Sequence, residues 1–183
     1  MATEPRRVPA VTERFRDVLD LPDGVADPEV GRWLSAFAEA RRDTDKILDQ
    51  VRPEAIDADL GDGGDTLGTV LYHTALIEIG WVFWDVLDRE ANIPKSLFPH
   101  DDRVVDGRLT PVLGETLEQH RERLAQARSM VWAELVSMSN EAFHRVRTGP
   151  DSDVSANWVV FHLIDHEVEH RVRTSAIRDA FRK

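Results

Sequence analysis

The chain has 183 residues, a net charge of −11 and no cysteine. The missing cysteine excludes disulfides, thiolate metal ligands, iron–sulfur clusters and a cysteine nucleophile, so any sulfur chemistry needs a thiol from outside. So negative a surface repels phosphate backbones, no run reaches the roughly 20 apolar residues of a membrane span, and the opening MATEPRRVPAVTERFRD lacks an apolar signal core. The expectation is a cytoplasmic protein with neither nucleic acid nor membrane as partner. With 42% hydrophobic residues the chain can bury a core of its own.

Residues 1–27 are polar and punctuated by Pro5, Pro9 and Pro22. Phe15, Val18, Leu19 and Leu21 predict a short helical appendage docked on a main domain at 28–183. The first long helix is expected over 28–51. Asp27 caps it, Pro28 suits its first turn, and Val30, Leu34, Phe37, Arg41, Thr44, Leu48 and Val51 step by three or four. A second is expected over 65–87, after the glycines at 61, 63 and 64. The third is expected from a cap at Thr110, with Pro111 next, to Met138; Leu113, Leu117, His120, Leu124, Ala127, Val131 and Leu135 form its stripe. The fourth starts near Ser155 and runs almost to the C-terminus.

No segment alternates with period two, so no strand is predicted. Four long amphipathic helices predict an all-α four-helix bundle. The long linker over 88–109 is able to cross it, which favours up-down-down-up order.

The histidines carry the chemical signal. His162, His166 and His170 recur every four residues in NWVVFHLIDHEVEHRVR. At about 100° per residue the three rings share one helix face, and two histidines at this spacing can reach one ion. His73, in TLGTVLYHTALIEIGWVFWDVL, shares a face with Val70, Leu76, Ile77, Trp84 and Leu87. A histidine on an apolar face needs partners, and the histidine face of the fourth helix offers them. Gly80, two turns on, would permit close helix approach. Three neutral imidazoles describe an open site for zinc, nickel, iron or copper, with one position left for water or substrate. A purely structural or surface histidine stripe gives the same spacing. His120 reads as a hydrogen-bonded core histidine, His100 and His144 fall in linkers without an assigned role, and Tyr72 turns away from His73.

An apolar helix carrying LYHTA together with a last-helix HxxxHR resembles the DinB/YfiT-like metalloprotein superfamily. That resemblance implies an up-down-down-up four-helix bundle over 28–183 and a divalent metal held by His73, His166 and His170. It also implies metal-dependent transfer or isomerisation that uses a low-molecular-weight thiol, with a metal-hydroxide hydrolase as close variant. A non-catalytic metal-binding stress-response protein is the alternative. Where relatives often continue His-Arg-Gly-Gln, this chain reads His170-Arg171-Val172-Arg173, so its substrate pocket is expected to differ; His162 is a candidate to stand behind the ligands.

Near the histidine face, Glu169 is a candidate general base or a partner that orients a ligand, and Arg173 a candidate for binding a substrate carboxylate. At i and i+4 the two also suit a plain ion pair. Val160, Phe161, Ile164, Val168 and Val172 form a second apolar stripe opposite the histidines, to be covered by the N-terminal segment, a neighbouring helix or a second subunit. A homodimer is expected.

Overall fold

The computed structural model describes residues 18–61, 63–89, 92–104, 106–149 and 152–182. Helix α1 spans Pro28–Leu48; the Asp27 carboxylate accepts from the Glu29 N–H at 2.8 Å and Pro28 occupies the first turn. It stops three residues short of the expected end, in turns ahead of Pro53. Helix α2 covers Leu67–Gly80, capped by Thr66, and continues as a π-helical turn over Trp81–Val86. Helix α3 is Leu117–Leu135, α4 is Asn140–His144, and α5 is Ala156–Ala180. Between α4 and α5 a two-residue hairpin pairs β1 (Arg147–Thr148) with β2 (Asp153–Val154), a pair of strands too short to register as alternation.

Two expectations need correction. Helix α3 begins at Leu117, not after Thr110. Thr116 and Gln119 form a reciprocal capping box there, satisfying two otherwise orphaned donors, while Gly114 holds a positive φ of 80° that breaks any helix from 110. Leu113 therefore lies outside the helix and is exposed. At the N-terminal side, residues 18–27 are not helical, and Val18, Leu19 and Leu21 are exposed. Pro22 and Gly24, the latter at φ 74°, interrupt that stretch; Phe15 lies outside the described residues.

Side-chain contacts fix the helix directions. Arg41 meets Glu167 and Asp43 meets Arg171, so α1 and α5 run parallel. Glu78 meets Arg128, and Arg89, just past α2, meets Glu134, so α2 and α3 run parallel. His73 lies by His170 and Trp81 by Trp158, which sets α2 antiparallel to α5. The order is up, down, down, up, and the chain must return along α2 before α3 can begin.

The core holds Val30, Leu34, Phe37, Leu71, Ile79, Val131, Val159 and Ile177. Within it sits a charged ring built from all four long helices. Arg41 binds Glu167 at 2.6 Å and Glu78 at 2.7 Å; Arg128 binds Glu78 at 2.6 Å and Glu167 at 3.1 Å. Burial raises the Glu78 carboxyl, but Arg128 and Arg41 outweigh it and hold the group below its ordinary range. Two charges of each sign cancel, as a buried ionic cluster requires.

Candidate metal centre

His73 leaves α2 in its second turn, while His166 and His170 leave α5 one turn apart. Their Nε2 atoms converge. His166 Nε2 is 3.1 Å from that of His73 and 3.0 Å from that of His170. Among the described residues, this trio is the group of histidines or carboxylates able to hold a metal ion, with one ligand atom from each and all within 4.8 Å of one another.

Two of the imidazoles, His166 and His170, are held in the neutral form. Burial, then the neighbouring His170, His73 and His162, push the His166 pKa down to about 3. Burial and His73 lower His170 as well. The His73 tautomer is fixed from behind, where its Nδ1–H donates to Asp102 at 2.5 Å, leaving the Nε2 lone pair aimed at the other two rings. Three inward ring nitrogens at such separations repel unless a proton or cation lies among them. A tetrahedral ion with nitrogen ligands at 2.0–2.1 Å spaces those nitrogens about 3.3 Å apart, close to the separations of His166 from His73 and from His170.

Asp102 was not legible in the sequence. It stands in the long linker, where nothing periodic marks it. Burial raises its carboxyl, but the hydrogen bond and charge of His73 prevail and hold it below the usual carboxylate range. Arg103 Nε also approaches it, at 3.3 Å. The linker is pinned by the residue before His73. The Tyr72 hydroxyl donates to the His100 carbonyl at 2.7 Å and accepts from the His100 N–H at 2.9 Å. Phe98 packs edge-on to the Tyr72 ring, and the Arg123 guanidinium covers its face at 4.8 Å. So Tyr72, as expected, stays out of the histidine cluster, yet it anchors the segment that reaches His73.

The other expected residues are spread around the trio. His162 stands beside His166 at a ring separation of 5.9 Å. It stacks flat on Trp158 and meets Trp81 edge-on. Glu169 is exposed, near enough for its charge to act on His170. Arg173 donates through Nε to the Asp65 carbonyl at 3.0 Å, and its guanidinium lies where a side chain on Gly64 would go. Gly80 does not serve a helix–helix approach: its bare face is covered by the Trp84 ring of its own chain segment, 2.9 Å from where a Cβ would stand. His120 is buried in α3, as expected of a core histidine, but its Nε2 makes no hydrogen bond.

The DinB superfamily matches the chain over residues 36–172, which includes all three converging histidines. This chain belongs to the DinB superfamily. Among curated proteins none matches it. Within the DinB bundle, the second and last long helices are the two that carry the trio. No described helix is long and apolar enough to cross a membrane.

Proposed function

We propose that this DinB-superfamily chain is a metal-dependent enzyme that activates an external low-molecular-weight thiol, or water, for transfer or isomerisation. The observation that carries the reading is the convergence of three ring nitrogens, from His73, His166 and His170, within 4.8 Å. Three protein ligands leave a tetrahedral ion one position for a small molecule, the pattern of catalytic rather than structural sites. A bound zinc, nickel or iron ion supplies a positive charge that lowers the pKa of a thiol or water.

The chain's own residues do the rest. Asp102 holds His73 in the tautomer that offers Nε2. His166 and His170 keep their lone pairs because burial disfavours their charged forms. Trp81, Trp158 and His162 wall the α5 side with aromatic surface. In this reading Arg173, one turn beyond His170, binds a substrate carboxylate, and Glu169 is the base on the solvent side. Without a cysteine in the chain the thiol comes from outside. The protein acts as a cytoplasmic homodimer on small molecules, not on nucleic acid or membranes.

The exposure of Glu169 favours one second reading, a non-catalytic metal-binding protein of the stress-response kind. The test is metal analysis of the purified protein followed by thiol conjugation to 1-chloro-2,4-dinitrobenzene across a panel of thiols. Metal-dependent turnover that disappears in His166→Ala supports the enzyme. Stoichiometric metal without turnover, and without hydrolysis of activated esters, favours the second reading.

A further inference from the structure

Beside Asp102, which holds His73, the linker and α2 border an open pocket of about 510 Å³. Its lining is mixed: Leu76, Trp84, Ile93 and Phe98 are apolar, while Lys95, Asp101 and Asp102 are charged. The volume lies in the range of small-molecule sites, and apolar side chains set beside polar groups that fix orientation are part of their usual lining. Trp84 is 40% exposed, a large aromatic surface left open at the pocket. Leu76 stands one turn after His73 on the same helix face.

Asp102 belongs to both places. One of its oxygens accepts the His73 Nδ1–H, and the residue also lines the pocket. Because Nδ1 and Nε2 lie on different edges of the imidazole, a molecule in this pocket does not compete for the open position among the Nε2 atoms. It changes the surroundings of the carboxylate that orients His73.

We propose that this pocket is a second small-molecule site, for a ligand with an aromatic or aliphatic body and one polar end, and that its occupancy is coupled to the metal site through Asp102. The pocket stands on its own geometry; only the coupling rests on the metal-site reading. By linkage, each ligand shifts the other's affinity by the same factor.

The probe is 8-anilinonaphthalene-1-sulfonate, an aromatic body with one ionic end, titrated into the full-length metal-free protein and followed by its fluorescence. Saturable binding at one site is expected, weakened at least tenfold by Trp84→Ala and by Ile93→Trp, which fills the pocket from its partly exposed rim. Arg32→Ala, on the exposed face of α1, leaves it unchanged. Absence of saturable binding, survival of binding in both pocket variants, or its loss in Arg32→Ala overturns the site. For the coupling, zinc affinity is measured with and without saturating probe. A shift of threefold or more, absent in Asp102→Asn, supports it, and an unchanged zinc affinity overturns it. Because probe binding is read without metal, failure of the metal-site reading leaves the pocket test intact.

Discussion

Tyr72 holds His100 by two hydrogen bonds, one to each side of the peptide backbone, and this sets Asp102 two residues further on against His73. Consecutive residues of α2 thus grip one linker at two points. Tyr72 supplies the anchor and His73 receives the result.

Replacing Asp102 removes the acceptor that selects the His73 tautomer. Asp102→Asn is expected to weaken metal binding about 10- to 100-fold with the helical content intact. Tyr72→Phe acts on the same linker one step earlier and should weaken binding less. Competition with a chelator of known affinity checks both; unchanged affinity in Asp102→Asn would show that the ring is held without it.

Removal of any one converging histidine leaves two. The native protein is expected to hold about one ion per chain, and metal content of His73→Ala, His166→Ala and His170→Ala is expected to fall well below that. His162→Ala should keep its metal, since that ring is committed to Trp158 and Trp81. Full retention in one of the first three would strike that residue from the ligand set.

The charged ring makes Glu167 a structural residue although it directly follows His166. Glu167→Ala would leave Arg41 and Arg128 sharing Glu78 alone, with one buried positive charge unbalanced, and cost about 3–5 kcal/mol. Glu169→Ala, on the surface two residues later, is expected to change stability by no more than about 0.5 kcal/mol. Urea unfolding of the two variants measures the contrast, and equal effects would contradict the geometry.

How much of this could be read beforehand depended on how local the signal was. The histidine spacing on α5 is a property of one helix, so it was legible, and His73 stood out as an imidazole on an apolar face. Arg41 was visible as a charge in the α1 stripe, but its partners lie on three other helices and nothing local names them. Asp102 reaches His73 only because a linker is tied down elsewhere. Thr110 followed by Pro111 has the form of a helix start, but Thr116 with Gln119 three residues later carries the stronger capping signal, and α3 begins there. The π-helical turn at Trp81–Val86 leaves no pattern distinct from an ordinary helix.

The buried ring of His120 should make stability depend on pH. Burial, more than any neighbour, pushes its pKa down to about 4. The unfolded chain then binds the proton that the folded chain refuses, so the neutral ring contributes stability above the ordinary value near 6.5 that is lost as pH falls toward 4. In zinc-loaded protein, His120→Asn should flatten the dependence of melting temperature on pH between those values. An unchanged slope would mean that the ring titrates freely.

The stripe opposite the histidines is only partly covered. Val160 is buried, but Phe161 is 52%, Val168 42% and Val172 72% exposed. The expected homodimer would cover this face, as isolated apolar faces of this kind commonly mark contacts. Sedimentation at micromolar concentration should give twice the 20.8 kDa chain mass, and Val168→Asp should halve it. A native monomer would remove the dimer.

His73 and His166 are 93 positions apart, and this separation has a temporal consequence. A chain that has made α1, α2 and α3 owns one of the three imidazoles, and α5 alone presents a two-histidine clamp with no third arm. The cluster of three ring nitrogens therefore comes into being only when the final helix closes against the second, and it reports on assembly of the whole bundle rather than of any one part.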